Sequence, residues 1–113
     1  MQYEELPPIS REEGEAALES GDPKTISEAI IRLALHDPDW RWVEDRCLSL
    51  LNHTSAEIRG ASSASLGRLA RIHGTLSIDR VLPALERLRN DPEVGGRAED
   101  ALDDIRAFLH LRN

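Results

Sequence analysis

The sequence predicts an all-α protein with six helices arranged as three antiparallel pairs. The run at 91–94 repeats the run at 55–58 at an offset of 36 residues, and a weaker copy begins at Asp22. Self-similarity at such an interval is typical of stacked helix pairs, each of which is too small to bury its apolar side alone. No segment alternates apolar and polar residues over more than a few positions, so the sequence offers no candidate strand.

The first pair is predicted over about 10–36. The tetrapeptide 10–13, Ser-Arg-Glu-Glu, is a capping box that starts the first helix. Gly21 then supplies the left-handed residue with which many helices end, and Asp22-Pro23 starts the second helix. Residues 1–9 precede the capping box and are predicted to form an irregular arm.

The second pair is predicted over about 39–74. Its first helix has one apolar face, which consists of Trp40, Val43, Cys47, Leu50 and Leu51. The longer helix after it is capped by Thr54 or Ser55, and Gly74 ends it.

The third pair is predicted over about 77–111. Ser77 caps its first helix, in which Pro83 must lie within the first two turns or kink the helix, because proline has no amide hydrogen to donate. The tripeptide 90–92, Asn-Asp-Pro, opens the last helix. The predicted inner face of that helix consists of Val94, Ala98, Ala101, Ile105, Phe108 and Leu109.

Composition limits the kind of protein this is. A chain of 113 residues is predicted to be a single domain, and with 4% aromatic residues its core must be aliphatic. The chain starts without a basic segment and has no long apolar run, which predicts a cytoplasmic protein that does not enter a membrane. The single cysteine, Cys47, shares a helix face with apolar neighbours and is predicted to be a buried thiol.

The net charge of −7 is concentrated at the two ends of the sequence. Residues 1–22 carry −6 and residues 91–113 carry −3, whereas 23–90 are slightly positive. Phosphate binding needs clustered lysine and arginine, and the chain has a single lysine, so direct binding of nucleic acid is not expected. Opposite charges speed encounter, which favours a basic protein partner for a chain that is monomeric when free.

Two stretches resemble the second helix of HEAT repeats, of the bacterial kind also found in phycobilin lyases. They are Ser55–Arg59 followed by Leu66–Ala70, and Asp91–Val94 followed by Ala98–Ile105, while Leu82–Leu88 resembles the first helix of the later repeat. The resemblance covers about 40–110 and implies a short right-handed α-α superhelix. The arginine usual after Val94 is Gly95 here, and Ile26 occupies that place in the first copy, so Arg59 is at most one rung of an Asp–Arg ladder between repeats.

The segments 40–48, 66–74 and 96–105 resemble those of small stand-alone bacterial HEAT proteins. Some of these are similar to immunity proteins that neutralise the toxin domains of contact-dependent inhibition or other polymorphic toxin systems. That resemblance implies an immunity protein, or antitoxin, that binds and blocks a basic toxin domain, a nuclease, without doing chemistry. The alternative is a HEAT-repeat scaffold or adaptor subunit in a protein complex. A pigment-lyase-like enzyme is a third hypothesis, and it would need a reactive Cys47.

The residues that carry chemistry in enzymes form no recognisable motif in this chain. The four histidines are scattered at helix ends, and none lies three or four residues from another histidine or a cysteine. N-capping explains Asp37 and Asp39, and no nucleophile elbow, phosphate-binding loop or zinc-protease motif occurs. The sequence therefore predicts no metal, no cofactor and no enzymatic activity.

Three features are candidate partner-binding sites. Trp42 lies away from the apolar stripe of its helix, so it either packs against a neighbouring pair or, beside Asp39 and Asp45, forms an exposed aromatic anchor. The outer face of the last helix is either a solvated end of the array or a surface that docks a basic partner; its acids are Glu99, Asp100, Asp103 and Asp104. Small residues on the fourth helix allow either close packing or a groove on the concave side; they include Gly60, Ser63, Ala64 and Gly67.

Overall fold

The computed structural model describes residues 6–111, in which six α-helices are joined by short loops and no strand occurs. This confirms the predicted all-α class. The helices are α1 (Arg11–Leu18), α2 (Pro23–His36), α3 (Trp40–Leu50), α4 (Ala56–His73), α5 (Ile78–Leu88) and α6 (Gly95–Phe108). Residues 6–10 lack regular structure, while 1–5 of the predicted arm lie outside the described residues. None of the six helices is both long and apolar enough to cross a membrane.

Four helices begin at side chains that the sequence predicts as caps. The side chains of Ser10, Asp22, Asp39 and Ser55 each accept a hydrogen bond from the backbone amide three residues later. Each bond satisfies one of the amides that the first turn of a helix leaves without a partner. Gly21 and Gly74 have positive φ angles of 80° and 67°, as their predicted place at helix ends requires.

The fifth helix begins where predicted but has a different cap. The hydroxyl of Ser77 makes no capping hydrogen bond. Its backbone amide instead donates to the carboxylate of Glu44, a buried residue of α3, at 2.6 Å. Pro83 is the sixth residue of α5 and so lies within the first two turns.

The helices form three antiparallel pairs, α1 with α2, α3 with α4 and α5 with α6. The second helices of the pairs also pack side by side, with α4 between α2 and α6. Gly60 lies against Arg97 and Gly67 against Ala101, so α4 and α6 run in the same direction. The core follows this inner row and is aliphatic; its largest fully buried apolar side chains include Ile30, Leu33, Ile58, Leu66, Leu69, Leu85, Leu102 and Ile105.

The sixth helix begins later than the sequence predicts. The tripeptide 90–92 does not open it, because the carboxylate of Asp91 accepts hydrogen bonds from the amides of Glu93 and Val94 and thereby caps a turn. The helix then starts at Gly95. A Cβ atom at Gly95 would collide with the backbone oxygen of Arg89, so this close approach of the two segments requires glycine.

Phe108 is not on the inner face of α6, so that part of the prediction is wrong. Val94, Ala98, Ala101 and Ile105 are buried as predicted, Leu109 is half-buried, and Phe108 is 45% exposed. On a helical wheel, position 108 lies about 70° from the centre of the buried stripe, so the last turn rotates this ring out of the core.

Arg59 joins two loops of the array. Its guanidinium donates to the backbone oxygens of His53 and Thr54 at 3.0 and 2.8 Å. It also lies 3.3 Å from the carboxylate of Asp91 and 3.2 Å from that of Glu93. The Arg59 side chain is 12% exposed, and this contact ties the α3–α4 loop to the α5–α6 loop.

Candidate functional site

A polar groove of about 170 Å³ lies between α4 and α6. Its walls are Ala64, Gly67, Arg68 and Arg71 from α4, and Arg97, Asp100, Ala101 and Asp104 from α6. The groove therefore brings together parts of two features that the sequence analysis treats separately, the small residues of the fourth helix and the acids of the last one.

The small residues of α4 are mostly packed against neighbouring helices. Gly60, Ser63 and Gly67 are buried, and Ala64 is half-buried. The hydroxyl of Ser63 donates to the backbone oxygen of Arg59 at 2.9 Å. Close packing thus explains Gly60 and Ser63, whereas Ala64 and the packed Gly67 also line the groove.

The acids of α6 are divided between the groove and the surface outside it. Asp100 and Asp104 line the groove, whereas Glu99 lies 3.9 Å from Arg89, and Asp103 is exposed outside the groove. These four carboxylates therefore have different neighbours, and only two of them face α4.

A glycine makes room for a charged side chain at the contact between α4 and α6. The guanidinium of Arg97 occupies the space where a Cβ atom of Gly60 would lie. At Gly67 the contact is looser, because a carboxylate oxygen of Asp104 lies 3.4 Å from the corresponding position, which is an ordinary van der Waals distance. Only Gly60 is therefore required by this contact.

The groove contains charges of both signs. The guanidinium groups of Arg68, Arg71 and Arg97 lie in the same lining as the carboxylates of Asp100 and Asp104. A lining of this kind is suited to polar contacts with a partner.

Trp42 is a packed residue and not an exposed anchor. It is half-buried against the core, and the guanidinium of Arg11 lies 4.1 Å from the centre of its ring. The same arginine donates to Asp39 at 2.7 Å, and this hydrogen bond, together with that from the Trp42 amide, holds the pKa of Asp39 below its usual value. Asp45 is 2.8 Å from Arg80 of α5. These three predicted site residues thus connect neighbouring helices.

Two large apolar side chains are exposed that the sequence did not single out, and neither lines the groove. Ile72 and Phe108 are the large hydrophobic side chains exposed among residues 6–111, at 45% each. They occupy equivalent places in the repeat, 36 residues apart. The same offset of 36 residues relates Ile58 to Val94, so the repeat in the sequence could have predicted that Ile72 and Phe108 occupy equivalent places.

No group of three or more histidine, cysteine, aspartate or glutamate side chains within 6–111 is arranged to hold a metal ion. Cys47 is fully buried. Burial raises the pKa of its thiol strongly, and the nearby carboxylate of Glu44 adds to the effect.

The fold and the groove define a small all-α array of three helix pairs with a charged cleft between its second and third pairs. No family model matches the chain, and no curated protein sequence matches it. Among solved structures, it is similar to a chain of the CDI complex from Cupriavidus taiwanensis LMG 19424, with 31% sequence identity, a TM-score of 0.86 and 99% of both chains covered. The chain belongs to the same family as this component of the CDI complex.

Proposed function

We propose that this chain is the immunity protein of a contact-dependent inhibition system, and that it binds and blocks a toxin domain. The observation that carries the proposal is its similarity, over its whole length, to a component of a CDI complex. Such a complex joins at least two components, and the acidic character of this chain, with a net charge of −7, suits the one that neutralises a basic partner.

The proposed partner is a nuclease toxin domain with a basic surface. A monomer of this chain would bind it in the cytoplasm. The glutamates of α1 and the one that follows it are exposed and contribute to the acidic character of residues 1–22; they are Glu12, Glu13, Glu15 and Glu19. Charges of this kind act over about one Debye length, so they speed the encounter without having to contact the partner.

Inhibition would be steric and electrostatic, without catalysis by this chain. Its one thiol is buried and protonated at neutral pH, since burial raises its pKa. A protein that covers the substrate-binding surface of the toxin needs a rigid scaffold, and three helix pairs stacked on one core supply it.

We also propose that the array is a short, divergent HEAT solenoid. The ion pair between Arg59 and Asp91 supports this, because it joins the start of one second helix to the turn before the next, 32 residues later. The second helices lie side by side in a row, as expected for stacked repeats.

Co-expression with the toxin tests the proposed function. The genes beside the one for this chain are searched for a large effector, whose C-terminal domain is expressed alone to inhibit growth and then expressed together with this chain. We expect growth to recover, and the purified pair to elute as one complex. Growth that stays inhibited, with no complex formed, overturns the proposal and favours the adaptor hypothesis.

Ionic strength tests the electrostatic part of the proposal separately. The association rate of toxin and chain is measured by stopped flow or surface plasmon resonance at rising salt. Steering by opposite charges predicts a rate that falls steeply with salt, because added ions screen the long-range field. A rate that does not depend on salt would rule out a basic partner steered by the acids.

A further inference from the structure

The side of α4 that receives α6 recurs on α6 itself. On α4, four residues at intervals of three and four touch α6 or line the groove beside it; they are Gly60, Ala64, Gly67 and Arg71. The offset of 36 residues that relates the repeats carries them to four residues of α6, together called the end stripe: Gly96, Asp100, Asp103 and Ala107. Because the intervals are the same, the end stripe also forms one side of its helix.

No helix of residues 6–111 covers the end stripe. In the described chain α6 is the last of the row of second helices, and it packs on α4 and α5. On a helical wheel the centre of the stripe lies about 100° from the residues that face α4. All four residues are exposed, although Asp100 also lines the groove, so the stripe begins at the rim of the groove.

Gly60 shows what a glycine at this place in the repeat accepts. The guanidinium of Arg97, from the next second helix, occupies the space where a Cβ atom of Gly60 would lie. Gly96 is the equivalent glycine one repeat later, and the same space beside it is open, with no packed atom within 4 Å. A helix laid along the end stripe can therefore place an arginine over Gly96 in the way that α6 places Arg97 over Gly60.

The charge of the end stripe favours a basic occupant. Where α4 has Ala64 and Gly67, the stripe has the carboxylates of Asp100 and Asp103. Within residues 6–111 neither carboxylate makes a hydrogen bond or lies within 4 Å of a cationic group. Exposed carboxylates beside an open glycine suit a guanidinium, which can donate two hydrogen bonds to one carboxylate.

We propose that the end stripe of α6 is the surface that contacts the toxin domain, and that its occupant is a basic helix of that domain. The helix lies along α6, in the place that the next second helix of the array would take. One of its arginines covers Gly96, and its other basic side chains pair with Asp100 and Asp103. This assignment rests on the proposed function and deepens it, because it states which side of the chain binds and what it recognises.

The proposed contact depends on the small size of Gly96. A residue without a side chain lets two backbones approach closely, whereas a longer side chain would hold the partner helix away from α6. Since nothing in the described chain packs on Gly96, the same substitution leaves the fold intact. Bulk at this position therefore separates binding from stability.

The principal experiment compares Gly96→Gln with Ala16→Gln in binding to the isolated toxin domain. Ala16 is an exposed residue of α1, in the first pair, and both substitutions add an uncharged side chain to an exposed helical position. We expect Gly96→Gln to weaken affinity at least about tenfold and Ala16→Gln to change it less than about twofold. If Gly96→Gln binds as tightly as the unmodified chain, the assignment is wrong while the proposed function stands.

Thermal unfolding of Gly96→Gln serves as the control for folding. Glutamine favours a helix more than glycine does, so the midpoint should stay the same or rise slightly. Weaker binding by a chain that is at least as stable cannot result from unfolding. A clearly lower midpoint would mean that Gly96 is packed in the free chain, and this would overturn the open surface that the assignment requires.

A second comparison tests the role of the carboxylates. Asp100→Asn with Asp103→Asn removes two charges from the end stripe, and Glu12→Gln with Glu15→Gln removes two exposed charges from α1. Both double variants reduce the net charge equally, but only the first removes proposed contacts. We expect the first to raise the dissociation rate at least about fivefold and the second to change it less than about twofold. Equal dissociation rates of the two double variants contradict the assignment.

Two further outcomes concern the occupant itself. If the unmodified chain does not bind the toxin domain, the proposed function fails and this assignment fails with it. If light scattering finds a dimer that Gly96→Gln dissociates, the end stripe joins two copies of this chain, and a basic helix of the toxin is not its occupant.

Discussion

The carboxylate of Glu44 in α3 accepts a hydrogen bond from the backbone amide of Ser77, 33 residues later, at 2.6 Å. Glu44 is 1% exposed, and its other oxygen lies 3.8 Å from the guanidinium of Arg80. A negative charge at the first residues of α5 also faces the positive end of the helix dipole. The second pair of helices thus provides the cap with which the third pair begins.

Replacing Glu44 with alanine should destabilise the fold by about 2 kcal/mol, because the partly buried amide of Ser77 would lose its acceptor. Glu44→Gln keeps an oxygen acceptor and should have a smaller effect. The free energy of unfolding in urea measures both. Ser77→Ala is the matched control and should stay within about 0.5 kcal/mol, because that hydroxyl caps nothing. An equal loss in Ser77→Ala would show that the hydroxyl is the cap.

Gly95→Ala should lower stability by about 1–3 kcal/mol, since its Cβ would collide with the backbone oxygen of Arg89 and the backbone would have to shift. Gly96 is its neighbour and has no atom within 4 Å of the corresponding position. Gly96→Ala should therefore raise stability by about 0.5 kcal/mol through helix propensity. Thermal unfolding of the two variants measures the difference, and equal midpoints would contradict the packing described here.

Asp91 makes stability depend on pH. The amide of Glu93, the amide of Val94 and the guanidinium of Arg59 hold the pKa of Asp91 below its ordinary value of 3.8. On acidification the unfolded chain therefore takes up this proton first, so the stabilisation is present above the ordinary value and is lost as pH falls through the folded value. In Asp91→Asn this dependence should disappear. The free energies of unfolding of the unmodified chain and of Asp91→Asn, measured with urea from about pH 7 to about pH 3, should converge as the pH falls. A difference that stays constant with pH would contradict this prediction.

Cys47 should be unreactive in the folded protein, because only the thiolate attacks thiol reagents and burial raises the pKa of this group. A colorimetric thiol reagent should label it slowly in buffer and completely in denaturant. Rapid, stoichiometric labelling of the folded chain would contradict the buried position and revive the hypothesis of a lyase-like enzyme.

Most helix limits could be predicted because their causes are local. Ser10, Asp22 and Ser55 act on amides three residues away, and Gly21 and Gly74 end helices through their own backbone angles. The predicted start of α6 was wrong for a different reason. Asp91 has the sequence features of a helix cap but caps a turn, and the contact that sets the true start is between Gly95 and Arg89.

The candidate site was predictable only in part, because its charges are set by contacts between helices. The sequence identified Ala64, Gly67, Asp100 and Asp104, which do line the groove. It gave no indication that arginines of α4 would face those acids, since that depends on how α4 and α6 pack. In the same way, the guanidinium of Arg11 lies over the ring of Trp42, although the two residues are 31 positions apart in the sequence. No local sequence pattern predicts a contact over that separation.

The placement of Trp42 has a practical consequence for spectroscopy. The two tryptophans of the chain, Trp40 and Trp42, both lie in the first turn of α3, and an arginine covers each ring. The residues that line the groove come from other helices. Intrinsic fluorescence is therefore an optical reporter of the junction between α1 and α3. When binding of a tryptophan-free partner is established independently, constant emission indicates that it binds away from this junction, and a shifted spectrum indicates contact at or near it.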